Sequence, residues 1–171
     1  MGWKTSGYLK PKLIVSAIDR ISLSELWNDG IRGLIIDLDN TICPWRQSDV
    51  IMEADVLIKD ALQRKYKVCL ISNASSKRTQ RIAKLYGIPF FAPAYKPSKY
   101  AFKKAIALMG LKEKEVSVVG DQLFTDILGG NRSGCYTILV PPLSKEEFIW
   151  TRFMRLLEKT TMSRSRNDYI K

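Results

Sequence analysis

Apolar residues are concentrated in short runs along this chain, and most of the runs end in polar residues or in a turn. The strands predicted from these runs, with the polar residues that end them, cover about residues 33–39, 68–73, 88–91, 116–121 and 136–140. Continuous rather than alternating apolar runs are typical of parallel strands that are buried on both faces of a sheet. Between the runs, apolar residues recur at helical intervals, as in residues 49–65. The alternation of strands and helices predicts an α/β fold, a three-layer, Rossmann-like parallel sheet with right-handed crossovers.

The same pattern predicts a single domain with three parts. These are an N-terminal lead-in (1–32), a core (33–141) and a C-terminal helix and tail (142–171). The apolar residues at 13–18 fit either a short helix or an extended segment. Ser22 and Glu25 have the spacing of a capping box at the start of a short helix, which Gly30 can end in a left-handed conformation.

The C-terminal part has the pattern of an amphipathic helix. At about 100° per residue, apolar side chains between residues 149 and 157 fall on one arc, and Arg152, Arg155 and Lys159 fall opposite, with Phe148 misplaced among them. This pattern fits a helix lying in a membrane interface. It fits a terminal helix docked on the core of the sheet equally well, so the sequence leaves both interpretations open.

Composition narrows the chemistry that this chain can perform. The sequence contains no histidine, which excludes Ser-His-Asp and Cys-His catalysis and any histidine-ligated metal site. Cys43, Cys69 and Cys135 form no Cys-x2-Cys pair, so a structural zinc site is not expected, and a reducing cytosolic compartment fits them. No apolar run approaches the roughly 18 residues of a membrane span, and residues 1–15 lack the apolar stretch of a secretory signal, so neither element is expected. Carboxylates, lysine, hydroxyls and a hard metal ion remain as the reactive groups.

Positive charge is unevenly distributed in this chain of formal net charge +11. Residues 59–114 contain fourteen Lys and Arg residues against only Asp60 and Glu113. These residues could simply cover solvated helix faces. Alternatively, they generate a field that attracts an anionic substrate, a nucleic acid or a lipid surface.

Polar side chains with catalytic potential follow four of the predicted strands or the loops after them. They are Asp37, Asp39 and Thr41; Ser72 and Asn73; Lys96; and Asp121 with Asp126. The carboxyl ends of parallel strands meet at one edge of a sheet, so these residues can converge on a single cleft. Taken singly, each group has an ordinary structural explanation, such as a helix cap or a surface turn. Their joint occurrence at strand ends favours a catalytic site.

This set of groups suits phosphoryl transfer with Mg²⁺. A hard cation prefers carboxylate and carbonyl oxygens, and it offsets the repulsion between an attacking carboxylate and a phosphate dianion. A lysine supplies positive charge toward the phosphate, while hydroxyl and backbone N–H groups surround its oxygens.

The order and type of these residues resemble the motifs of the haloacid-dehalogenase-like phosphatase superfamily. The segment 37–41 resembles its first motif, Ser72 its second, Lys96 its third, and Gly120-Asp121 with Asp126 its fourth. The resemblance covers about residues 33–140.

The resemblance implies a role for each of the matched residues. Asp37 would be the nucleophile that forms an aspartyl-phosphate, and Asp39 the general acid and then the base. Mg²⁺ would be held by Asp37, Asp121 and the backbone carbonyl of Asp39, with Thr41 and Asp126 in support. Ser72, Asn73 and Lys96 would bind the phosphate. Asp39 must be protonated when the leaving group departs, although an unperturbed Asp has a pKa of about 3.9. Burial or the neighbouring Asp37 would therefore have to raise the pKa of Asp39.

The segments in which this superfamily inserts cap domains are short here, so no large cap domain is expected. An uncapped cleft admits a bulky or surface-bound substrate. The chain is similar to small uncapped phosphatidylglycerophosphate phosphatases, and the similarity extends over residues 11–13, 30–33 and 120–132. This resemblance implies an anionic phospholipid substrate and a cytoplasmic, peripheral position on the inner face of an anionic membrane.

Two alternatives remain open at this stage. The first is a soluble phosphatase for a sugar or nucleotide monophosphate, which would use the same chemistry. The second is a basic nucleic-acid-binding protein, suggested by the net charge of +11. Its basic residues form no recognised recognition motif, so no specific nucleic acid is expected.

Overall fold

The computed structural model describes residues 6–143, and these form one six-stranded, fully parallel sheet covered by helices. The strands are β1 (Leu13–Ile14), β2 (Gly33–Asp37), β3 (Lys67–Ile71), β4 (Phe90–Phe91), β5 (Val116–Gly120) and β6 (Tyr136–Leu139). Their order across the sheet is β1-β6-β5-β2-β3-β4. The long central strands β2, β3 and β5 are therefore neighbours, and the predicted parallel α/β architecture is confirmed.

Five α-helices connect the strands. They are α1 (Leu23–Asn28), α2 (Met52–Gln63), α3 (Ser76–Tyr86), α4 (Lys99–Met109) and α5 (Leu128–Arg132). A π-helical turn, Leu123–Ile127, precedes α5, and 3₁₀ turns occupy Ser6–Leu9, Ile18–Arg20 and Glu113–Glu115. The helical segment after β5 therefore changes from π to α type at Leu128.

Side chains of β2 alternate between two hydrophobic layers, which gives the fold its three layers. Leu34 and Ile36 belong to the cluster that includes buried residues of α1, α2 and α3. Ile35 points into the other cluster, with Phe102 of α4 at its centre. All three β2 residues are fully buried. Burial on both faces is the physical reason that this strand reads as a continuous apolar run.

The lead-in contributes a sixth strand that the apolar pattern did not predict. Leu13 and Ile14 pair in parallel with Ile138 and Leu139 of β6. Two residues are too few to show the alternating pattern of a strand. Their strand conformation follows from pairing with β6, which is distant in the sequence. The predicted cap of α1 is confirmed, because the Ser22 hydroxyl accepts a hydrogen bond from the Glu25 N–H at 3.2 Å. Gly30 follows that helix at a φ of 86°, a conformation open to glycine at little cost.

Within the described part of the chain, no large cap covers the carboxyl edge of the sheet. The crossover from β2 to β3 consists of one loop and α2, and the crossover from β3 to β4 consists of α3 with its short connections. None of the helices among residues 6–143 has the length and apolar character needed to cross a bilayer. The C-terminal amphipathic segment, with its two open interpretations, lies outside the described residues.

Candidate active site

The candidate site lies at the carboxyl edge of the central strand β2. Asp37 is the last residue of this strand and is 4% exposed. The chain then turns at Asn40, whose φ of 59° lies in the left-handed region that asparagine tolerates better than most residues. This turn brings the Thr41 hydroxyl back toward the strand end, where it donates to Asp37 Oδ2 at 3.0 Å. A cavity of about 520 Å³ opens over this edge, with Asp37 and Asp39 in its lining.

Lys96 links two of the predicted acids. Its buried ammonium group donates to the carboxylate of Asp37 and to Asp126 Oδ1, the second at 2.6 Å. Burial works against the charged form of Lys96, but the adjacent Asp126 and Asp37 raise its pKa above the ordinary value. The lysine is therefore a fixed positive charge at the bottom of the cavity.

Asn73 holds the backbone at Lys96 in place. Its Oδ1 accepts from the Lys96 N–H at 2.9 Å, and its Nδ2 donates to the Lys96 carbonyl at 3.3 Å. Both polar ends of the amide are thus engaged with one residue of the loop after β4. Asn73 lines the cavity, but these contacts position the lysine. Its predicted phosphate contact stays a prediction.

Asp121 and Asp126 join the site from the segment after β5. The Asp126 carboxylate accepts from the Gln122 N–H at 3.2 Å and packs over Gly120. A Cβ on Gly120 would lie 2.3 Å from Asp126 Cγ, so only glycine leaves room for this carboxylate. Asp121 Oδ1 lies 3.3 Å from the Thr41 hydroxyl. Asp37, Asp121 and Asp126 can each present one oxygen within 4.8 Å of the others.

The protonation of this acidic cluster is shifted by its surroundings. Burial raises the pKa of Asp37 to about 7, with Lys96 opposing the rise and Asp126 adding to it. Burial, together with the charges of Asp37 and Asp126, raises the pKa of Asp121 to about 8. Like charges held at this distance away from water repel each other. The cluster therefore favours either protons or a cation.

Asp39 faces the cavity in a different environment. Its carboxylate is ion-paired with Arg78 of α3 and accepts from the Arg46 N–H at 3.3 Å. Arg78 also donates to the Gln47 carbonyl at 2.9 Å, so it connects α3 to the loop after β2. Sequence reasoning placed Arg78 in the general basic cluster and missed this contact. The available signal was its position in the first turn of the helix that follows the Ser72-Asn73 strand end.

Ser72 lies at the end of β3 and is buried. Its hydroxyl oxygen accepts from the Ala74 N–H at 2.9 Å, which shapes the turn that leads into α3. The hydroxyl proton is left to donate toward the cavity that Ser72 lines. The residues predicted from the strand ends therefore meet at one edge of the sheet. Five of them line the cavity: Asp37, Asp39, Ser72, Asn73 and Lys96. Thr41 and Asp126 bond to the lining residues Asp37 and Lys96, and Asp121 lies within hydrogen-bond distance of Thr41.

Comparison with known proteins identifies the family. Residues 94–142 match a family model described as HAD-hydrolase-like, where HAD stands for haloacid dehalogenase. Over 156 residues, 91% of each chain, the sequence is 35% identical to the probable phosphatase YqeG of Bacillus subtilis. The chain belongs to the haloacid-dehalogenase-like phosphatases. The resemblance stated from the four motifs is thereby confirmed.

Two further comparisons concern a more distant relative and a solved structure. The HAD-like phosphatase described here is 24% identical, over 176 residues, to the chloroplastic and mitochondrial phosphatidylglycerophosphate phosphatase 1 of Arabidopsis thaliana. That match covers 94% of this chain but 49% of the relative, so the chain spans about half of that relative's length. The magnesium-bound structure of the HAD hydrolase YfnB from Bacillus subtilis shares the fold, with a TM-score of 0.53 and 15% identity, and the match covers 71% of this chain and 98% of YfnB.

Proposed function

We propose that this HAD-like phosphatase removes the terminal phosphate of phosphatidylglycerophosphate, using Mg²⁺ and an aspartyl-phosphate on Asp37. One observation carries the chemical part of the proposal. The nucleophilic candidate Asp37 is buried at the base of an open cavity, beside a fixed ammonium group and a second carboxylate, Asp39, that lines the same cavity.

The proposed reaction has two steps, and Asp37, Asp39 and water account for the bonds and protons that change in each. In the first, an Asp37 oxygen forms a bond to phosphorus while the bond to the leaving oxygen breaks and Asp39 gives that oxygen its proton. In the second, Asp39 takes a proton from water, the water oxygen bonds to phosphorus, and the Asp37 carboxylate leaves as phosphate is formed. In this proposal, Lys96 and the Ser72 hydroxyl bind the non-bridging oxygens.

The residues at this edge fit a hard divalent cation. Asp37 and Asp121 are two of three carboxylates that can direct oxygens to one point, and the Asp39 backbone carbonyl would complete the protein ligands. The third, Asp126, is bonded to Lys96 and to the Gln122 N–H, so it supports the site from behind. When bound, Mg²⁺ would neutralise phosphate charge and allow a carboxylate to approach phosphorus. The structure of the neighbour YfnB holds magnesium, which agrees with this choice of metal.

The choice of substrate has separate support. The relative from Arabidopsis thaliana is named a phosphatidylglycerophosphate phosphatase. In addition, no large cap closes over the cavity within residues 6–143, so a headgroup attached to a bulky lipid can enter. The net charge of +11 favours an anionic membrane surface as the place of reaction.

The test is phosphate release from phosphatidylglycerophosphate in mixed micelles by the full-length protein, with Mg²⁺ or with excess EDTA. We expect release with Mg²⁺ and none in EDTA, and poor replacement by Ca²⁺, which prefers more ligands at longer distances. Asp37→Asn is the control for contaminating phosphatases. Release from soluble sugar or nucleotide monophosphates, but none from the lipid, would assign the enzyme to the soluble class. Full activity in EDTA would refute the metal-dependent mechanism.

A further inference from the structure

Three large aromatic side chains are exposed at the carboxyl edge of the sheet, each on the segment that follows a different strand. Trp45 follows β2, Tyr95 follows β4, and Phe124 follows β5; they are 53%, 74% and 64% exposed. Trp45 itself lines the cavity, Tyr95 immediately precedes Lys96, and Phe124 lies between the lining residues Gln122 and Thr125. These three residues, here termed the aromatic rim, either line the cavity that contains Asp37 or are next to lining residues in the sequence.

The backbone at the rim directs its side chains outward. Tyr95 has a φ of 51°, an uncommon conformation for a large non-glycine residue. Its neighbours Ala94 and Lys96 are both buried, so the left-handed turn presents the tyrosine ring to the outside while the lysine points into the site. Arg46, next to Trp45, has a φ of 59° and is also exposed. Strained conformations of this kind persist where the surrounding structure requires them, and they concentrate at functional sites.

Basic residues flank the aromatic rim on the same edge of the sheet. Helices α3 and α4 both begin there, and their first turns carry Lys77, Arg78 and Lys99 but no acidic residue. Positive charge at a helix N-terminus opposes the helix dipole, which favours acids at this position. Arg78 is balanced by its ion pair with Asp39, but neither first turn contains an acid that would balance Lys77 or Lys99. For these two lysines, an external negative partner is the simplest physical reason.

An aromatic rim surrounded by Lys and Arg matches the interfacial layer of a bilayer. Tryptophan and tyrosine combine an apolar ring with a polar group and therefore suit the boundary between headgroups and acyl chains. Lys and Arg add attraction to anionic lipids. A nucleic-acid duplex would match the charge through its phosphates, but it would offer no apolar layer to a phenylalanine that is 64% exposed.

We propose that the aromatic rim docks onto an anionic phospholipid bilayer, with the mouth of the cavity facing the headgroups. This inference rests on the proposed function for the identity of the lipid substrate, and it adds the surface and the orientation by which the enzyme meets it. The contact is made by loops of the core that surround Asp37, independently of the C-terminal segment.

The direct test compares two double variants of the full-length protein in vesicle sedimentation. The rim variant is Tyr95→Asn with Phe124→Gln, in which asparagine accommodates the left-handed φ at 95. The control is Leu85→Gln with Leu108→Gln, which alters side chains of similar exposure, 68% and 60%, in the last turns of α3 and α4 at the opposite edge. We expect wild type and control to sediment with phosphatidylglycerol–phosphatidylcholine vesicles, and much less with phosphatidylcholine alone. The rim variant should lose at least about tenfold in partitioning.

Activity separates the failure of this inference from the failure of the proposed function. The rim variant should keep wild-type turnover of a soluble aryl phosphate and lose turnover of phosphatidylglycerophosphate in vesicles. If it binds and cleaves in vesicles as wild type does, or if the control loses as much, the docking surface is wrong even though the substrate is right. If wild type fails on the lipid in micelles but still binds vesicles through the rim, the substrate is wrong and the surface stands. Equal binding of wild type to both vesicle types, or to neither, would overturn the inference.

Discussion

The guanidinium of Arg78 pairs with the carboxylate of Asp39 and also donates to the Gln47 carbonyl at 2.9 Å. Asp39 lies beyond the end of β2, where an isolated bridge to Cys43 holds its backbone but not its side chain. One arginine at the start of α3 therefore fixes both the side chain of Asp39 and the loop that carries Trp45. We infer that Arg78 is a positioning residue for the proposed acid and base.

Replacing Arg78 with alanine should lower kcat by about 10- to 100-fold, because a carboxylate that is no longer oriented transfers its proton less efficiently. Arg78→Lys should recover only part of this loss, since an ammonium group cannot make the forked contact to both acceptors. The measurement is kcat and KM on a soluble monoester, with Arg81→Ala, an exposed site on the same helix, as the matched control. A rise in KM alone would show that Arg78 binds substrate and does not position Asp39.

Replacing Asp37 with asparagine should reduce turnover by about 10³-fold or more, because the amide cannot form the acyl phosphate. The side-chain volume hardly changes, so circular dichroism and the cooperative unfolding transition should persist. Mass spectrometry of wild type quenched during turnover should show one added phosphate, which must be absent in Asp37→Asn. Near-normal activity of this variant would rule out the aspartyl-phosphate.

The strand ends could be predicted from the sequence because they depend only on the order of apolar and polar residues within a short segment. A strand buried on both faces must be apolar until it reaches the edge, so Asp37 and Asp121 stand out immediately after the runs that precede them. The same logic could not find β1, whose two residues become a strand only by pairing with β6. Parallel pairing and topology then bring the distant strand ends together, which is why the candidate site could be assembled without coordinates.

Side-chain partners inside the site could not be predicted in the same way. The phosphate contact expected of Asn73 stays a prediction, and nothing in the sequence indicated that its amide binds the backbone of Lys96. The contact between Arg78 and Asp39 joins residues 39 positions apart. This contact depends on how α3 packs against β3, and the spacing of apolar residues along the chain does not predict that packing.

Asn73→Ala should lower kcat by loosening the loop that carries Lys96, and it should reduce stability by about 1–3 kcal/mol through two lost hydrogen bonds. Asn131→Ala provides a matched control, because Asn131 also holds a distant segment, donating to the carbonyls of Tyr8 and Lys10 at 2.8 and 2.9 Å. The control should lose comparable stability in urea denaturation while its kcat per folded molecule remains normal. Equal effects on kcat in both variants would mean that Asn73 acts only through general stability.

The acidic cluster should make the stability of the metal-free protein depend on pH. Burial raises the pKa of Asp37 to about 7 and that of Asp121 to about 8, from a usual value of 3.8. At a pH between the usual value and the raised value, Asp37 and Asp121 keep their protons in the folded protein but have released them in the unfolded chain. With excess EDTA, these two groups should therefore make stability fall as pH rises from about 4 to about 8, by up to about 1.4 kcal/mol per pH unit for each proton.

Asp121→Asn isolates this effect, because asparagine carries no charge at any pH in the range. In EDTA at pH 8 we expect this variant to be more stable than wild type, with a shallower dependence of the unfolding free energy on pH. Added Mg²⁺ should stabilise wild type most at the upper end of the range, where the carboxylates give up their protons most easily. It should stabilise Asp121→Asn much less.

Asp29→Asn, an exposed position beyond the end of α1, should behave as wild type. Urea denaturation from pH 5 to 8 with Mg²⁺ or EDTA measures all three proteins, and parallel curves for wild type and Asp121→Asn would contradict both the raised pKa of Asp121 and its role as a metal ligand.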